Sequence, residues 1–129
     1  MTEDAIAIPG YSIERKLGRG GMAAVYLAIQ QSFEREVALK VPHGIWSRAG
    51  FAERFALERD IVAALNHPHI ARLYDAGLAP GGQPYLALEY VEGRPIDQYA
   101  RDARLDVRAR LRVFLQIAEA LAHAHSNLI

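Results

Sequence analysis

The sequence predicts an α+β fold: a five-stranded antiparallel sheet carrying one helix, followed by the first helices of a mostly helical region. Three patterns lead there. Runs rich in β-branched and aromatic residues alternate with turn residues from Tyr11 to Pro42 and again from Ile70 to Val91. Between them, apolar residues recur at helical spacing from Phe51 to Leu65. Beyond Pro95 the spacing is helical almost to the last residue.

Residues 1–10 read as a short tail, 11–91 as a first unit and 92–129 as the start of a second. The first three strands are Tyr11 to Leu17, Ala23 to Ile29 and Glu36 to Val41, joined by a glycine-rich turn and by the polar stretch Gln30 to Arg35. Pro42 and Gly44 end this meander. In the helix that follows, Phe51, Phe55, Glu58, Val62 and Leu65 are spaced 4, 3, 4 and 3, so they share one face. That stripe is apolar except for Glu58. Asn66 and Pro68 end the helix. Two further strands, Ile70 to Leu78 and Gln83 to Val91, flank Pro80-Gly81-Gly82. Pro95 can occupy the first turn of a short helix reaching Ala100. A long helix runs from Asp106, a candidate N-cap, to His125. Its broad apolar face (Leu111, Phe114, Leu115, Leu121) asks for cover, yet only four residues follow. The expectation is that the natural chain continues.

Composition narrows the classes. The 129 residues are 51% hydrophobic with a formal net charge of zero, which suits a packed domain without a field for nucleic acid or anionic membrane. There is no cysteine, hence no disulfide or thiolate metal site. No apolar run approaches the ~18 residues of a membrane span. The acidic opening Thr2-Glu3-Asp4 is unlike a signal peptide, and a cytoplasmic location is expected.

Chemistry concentrates in two places. Gly18-Arg19-Gly20-Gly21-Met22-Ala23-Ala24-Val25 can bring backbone N–H groups onto phosphate, and Val37-Ala38-Leu39-Lys40 ends an apolar strand on one of only two lysines. Each feature has a plainer reading. The glycines suit a hairpin tip with positive φ, Lys40 a snorkelling surface side chain, and Glu58 an exposed carboxylate beside Arg54 or Arg59. Together, an ammonium in an apolar strand and a carboxylate in an apolar helical stripe relieve each other's burial. A Rossmann turn would require a helix directly after Gly21. His67, His69, His123 and His125 have no recognised metal-ligand spacing. The arginines between Arg101 and Arg112 read as a solvated helix face.

These residues resemble a known family. Gly18-x-Gly20-x-x-Ala23-x-Val25, Lys40 in Val37-Ala38-Leu39-Lys40, and Glu58 eighteen residues on are similar to the amino-terminal lobe of a protein kinase. Asn66-His67-Pro68-His69-Ile70 resembles the loop after its regulatory helix, and Tyr85 to Gly93 its last lobe strand and hinge. Ala120-Leu121-Ala122-His123-Ala124-His125 resembles the end of the helix leading to the catalytic loop. Gly20-Gly21-Met22 and Glu89-Tyr90-Val91 look most like bacterial Ser/Thr kinases of the eukaryotic type.

The resemblance implies transfer of the ATP γ-phosphate to protein hydroxyls, with ATP, Mg2+ and protein substrates as partners. Membrane attachment would need an anchor elsewhere. It implies catalytic roles for Lys40, on the α- and β-phosphates, and for Glu58, its tether. Gly18, Gly20 and Ala23 would line the loop over the phosphates, and Leu17 would be among the cofactor-binding residues. Val25 and Ala38 would sandwich adenine, with Leu88 beside it, while Glu89 and Val91 offer backbone groups to its edge. Val62 and Leu73 would belong to the regulatory spine. Ala23 replaces the usual third glycine. Nothing matches the catalytic-loop and metal-binding aspartates, so these residues alone are expected to be inactive and to hold ATP weakly. A pseudokinase or scaffold module is the alternative, with a dinucleotide-binding oxidoreductase behind it.

Overall fold

The computed structural model describes residues 7–21, 23–42 and 50–127. The expected positions of Met22 and Gly44, and of the tail before Ala7, lie outside that set. Eight elements follow in order: β1 (Tyr11–Arg19), β2 (Ala23–Gln30), β3 (Arg35–Pro42), α1 (Phe51–Ala64), β4 (Leu73–Leu78), β5 (Pro84–Glu89), α2 (Ile96–Asp102) and α3 (Val107–Ser126). The strands form one antiparallel sheet in the order β1-β2-β3-β5-β4. This is the α+β architecture the sequence predicts.

Several boundaries differ, for local reasons. β1 runs through Gly18 and Arg19, which pair with Val25 and Ala24, so Gly18 belongs to a strand rather than to the turn. Ile70 to Arg72 are not strand, because the Ile70 amide turns back onto the His67 carbonyl at 3.1 Å just after Pro68. β5 stops at Glu89, where its pairing with β3 also ends. Pro95 stands before the first turn of α2, as its extended N-cap residue. Asp106 is the N-cap of α3, accepting a hydrogen bond from the Ala109 amide at 2.8 Å.

β3 shows how the sheet divides inside from outside. Val37, Leu39 and Val41 are at most 2% exposed, whereas Ala38, Lys40 and Pro42 between them are only partly covered. The inner residues join Ala24, Tyr26, Ala28 and Ala87 in one core. Ile8 joins them too, so the segment expected as a tail ends packed in the interior.

The sheet curls until its two edges meet around this core. Tyr11 on β1 donates its hydroxyl hydrogen to Asp75 Oδ2 on β4 at 2.9 Å, across the full width of the strand order. Gln30 Nε2 donates to the Tyr11 hydroxyl at 3.2 Å, and Arg35 Nε donates to Gln30 Oε1 at 2.7 Å. The buried Gln30 amide is thereby satisfied at both ends. The Arg35 guanidinium also lies 3.6 Å over the Tyr74 ring. Tyr85 crosses its register partner Gly77 and donates to Asp75 at 3.4 Å. A Cβ at Gly77 would sit 3.0 Å from that hydroxyl, so any larger residue there would push the Tyr85 ring aside.

Outside this unit, burial falls away. α1 buries Phe55, which stacks on Phe51 at 6.1 Å, and packs along β4. α3 buries no side chain: Val107, Leu111, Phe114, Leu115 and Leu121 are all more than half exposed. Among the described residues, no helix is long and apolar enough to cross a membrane.

Three outcomes are expected. Tyr11→Phe leaves the buried Gln30 donor without its acceptor and should cost about 1–3 kcal/mol in urea unfolding. Burial first, and Asp75 second, hold the Tyr11 phenol above its ordinary range, and burial likewise raises Tyr85. The folded state therefore favours neutral phenols. Their contribution is complete below about pH 10 and is lost as pH rises beyond it, so the urea midpoint should drop there and drop less in Tyr11→Phe. Separately, the 129-residue chain should bind an apolar dye through α3, with fluorescence falling when Leu111, Phe114 and Leu115 are made polar.

Candidate functional site

The β1–β2 hairpin places the glycines. The Gly20 amide donates to the Ala23 carbonyl at 2.8 Å, closing the turn, and Gly18 pairs with Val25 below it. Gly18, Gly20 and Gly21 all lack positive φ. A Cβ would meet nothing within 4 Å at Gly18 or Gly21, and only the Ala23 carbonyl at 3.9 Å at Gly20. Neither a left-handed turn nor packing within the chain therefore calls for glycine here. What these residues supply is open space beside backbone.

Across the sheet, register puts the predicted residues on one face. Val25 faces Lys40, Lys40 faces Leu86, and Ala38 faces Leu88. Directly opposed residues share a face, so Val25, Ala38, Lys40 and Leu88 all lie opposite the core side of β3. From there the Lys40 ammonium donates to Glu58 Oε1 of α1 at 3.1 Å. Eighteen residues of sequence separation collapse into one ion pair. Arg59 pairs instead with its neighbour Asp60, and Arg54 turns its Nε to the Gly50 carbonyl, so neither takes Glu58.

The pair is wetter than the pattern implies. Its side chains are 36% and 49% exposed, so the buried-pair argument from the apolar stripe is corrected to a half-open one. The reason is geometric: Glu58 reaches Lys40 across the mouth of a cleft. That cleft, of about 460 Å³, is lined by Gly21, Ala23, Lys40, Arg54, Phe55 and Glu58 among others. It brings the hairpin tip, the end of β3 and the inner face of α1 together. Arg54 is a second cation in it. Its position one helical turn before Glu58 is the signal that could have marked it.

The remaining predicted residues do not line this cleft. Leu17 is partly buried where β1 shifts register between Lys16 and Gly18. Glu89 donates its amide to the Arg72 carbonyl at 2.7 Å and accepts the Arg72 amide on Oε1 at 3.1 Å. That amide is thus already engaged. Val91 is exposed in the connection after β5. Val62 and Leu73 are partly buried. Ala23 to Gln30 form a strand, which removes the helix that an oxidoreductase turn requires.

Because the pair is half exposed, Glu58→Gln should lower the chain's stability by less than about 1 kcal/mol, read from the urea midpoint. A much larger loss would show that the carboxylate also holds α1 in place.

The family model for the protein kinase domain matches residues 11–129. The chain is 38% identical over 121 residues to serine/threonine-protein kinase PrkC of Bacillus subtilis, covering 92% of this chain and 18% of that protein. It is 35% identical over 129 residues to serine/threonine-protein kinase pkn2 of Myxococcus xanthus, covering 98% and 15%. Among solved structures it resembles the PknI kinase domain of Mycobacterium tuberculosis, with TM-score 0.75 and 32% identity over 98% of this chain and 52% of that one. It spans less than a fifth of these two curated relatives and about half of the solved domain.

Proposed function

We propose, from the premise that this chain belongs to the protein kinase family, that it is the ATP-binding portion of a Ser/Thr protein kinase acting on protein hydroxyls. Residues 11–91 serve as the nucleotide lobe, and 92–129 begin the second lobe. The observation that carries this reading is the Lys40–Glu58 contact, which opens onto a cleft whose other wall is the hairpin tip.

Each residue then has a physical task. Backbone at Gly18, Gly20 and Ala23 approaches the phosphates closely because nothing projects from the glycines into that space. Lys40 presents a compact point charge to the phosphate oxygens, and Glu58 keeps its flexible stem from wandering. Val25 and Ala38, small and on one face, leave a flat slot for adenine. Leu17 and Leu88 bound that slot, and the Glu89–Val91 connection offers backbone groups to the purine edge. These tasks are binding and orientation, which dominate phosphoryl transfer.

Magnesium is a different matter. Among the described residues, no group of three or more His, Asp or Glu side chains could hold a metal ion. No step is therefore assigned to it on these residues, and the transfer itself needs groups beyond them. The 129-residue chain should accordingly show no turnover and weak affinity for ATP.

Lys40→Met in the full-length protein tests the reading. Phosphoryl transfer should fall by at least about a hundredfold while circular dichroism and thermal midpoint stay near wild type. Retained turnover would remove Lys40 from the phosphate role. A wild-type protein that binds ATP without transferring phosphate would mark the scaffold alternative instead.

A further inference from the structure

Three histidines gather where the loop after α1 meets α3. The Asn66 amide donates to His123 Nε2 on α3 at 3.3 Å, bridging 57 residues. The His67 ring lies 5.3 Å from the His123 ring and 5.4 Å from that of His69. The His69 amide donates to His67 Nδ1 at 3.1 Å. A ring nitrogen that accepts an N–H must keep its lone pair, so both bonds belong to neutral imidazoles. The tautomers follow: His123 carries its hydrogen on Nδ1, and His67 on Nε2.

We propose that His123 makes the docking of the 65–72 loop onto α3 sensitive to pH, holding the loop while its ring is neutral and releasing it on protonation. A proton on Nε2 replaces the acceptor with a donor that faces the Asn66 N–H. It also sets a positive charge beside His67. Charged groups lie near that contact on the loop, on β5 and on α3. From the loop, Arg72 donates to Asn66 Oδ1 at 3.1 Å and adds a cation. From β5, Glu89 shares a recess with Asn66, His67 and Arg72, but its Oε1 already accepts the Arg72 amide. On α3 itself, His125 follows two residues on, and Glu119 sits one turn before His123 as the carboxylate able to compete. The contact is thus made by the neutral ring and lost when the ring gains a proton. This inference does not depend on the kinase reading, since it requires no nucleotide and no turnover.

Amide exchange measured by NMR on the 129-residue chain tests it, with rates corrected for the intrinsic effect of pH. Protection of the Asn66 amide should fall about tenfold from pH 7.5 to 5.5. The Ala79 amide, bonded to the Gln83 carbonyl at 2.7 Å within the sheet unit, should hold steady. His123→Gln, which keeps an acceptor that does not titrate, should flatten the Asn66 response. Equal Asn66 protection at the two pH values overturns the proposal, because a protonated Nε2 cannot accept the Asn66 N–H. So does a fall in parallel with Ala79, which would report general acid unfolding. Should His123→Gln not fold, the Asn66 and Ala79 comparison in the wild type still decides.

Discussion

The period-two alternation of β3 is the constraint on which the rest of the structure depends. One strand must seal a core with Val37, Leu39 and Val41 while turning Ala38 and Lys40 to the opposite face, where Lys40 lines a cleft. A slip of one residue would bury the ammonium and expose three aliphatic side chains. The cost of that slip, several kcal/mol for the charge alone, fixes the register. Pairing with β2 and β5 on either side then transmits the choice to Val25, Leu86 and Leu88. The cleft is thus positioned by hydrophobic burial on the far side of the sheet, not by its own interactions.

The second determinant is the closure of the sheet by Tyr11, Gln30, Arg35 and Asp75. A five-stranded sheet with one helix against it leaves an apolar face to cover, and here the sheet covers much of that face by curling on itself. The polar chain at the seam is satisfied through Gln30, so it adds specificity without an orphaned buried group.

Legibility in the sequence divided along these lines. All five strands, the three helices, and the pairing of Lys40 with Glu58 were readable, because period and a lone charge in an apolar run are local signals with one physical solution. The hidden parts were relational. Tyr11 and Asp75 lie 64 positions apart, and neither sits in a pattern that names a partner. The core role of Ile8 was masked by its place in an apparently tail-like opening. The half-open state of the ion pair could not be read from the stripe, since periodicity reports which side a residue faces but not how deep it lies. Strand ends failed where a turn hydrogen bond, as at Ile70, overrode β-branched composition.

The wetness of the Lys40–Glu58 contact has a thermodynamic consequence for α1. A pair screened by water is made and broken for about 1 kcal/mol or less, so this contact is held on a shallow balance rather than locked. A ligand or neighbour that prefers the contact made over the contact broken by a single kcal/mol would shift the balance between them about fivefold. Exposure at this point turns a fastening into a dial.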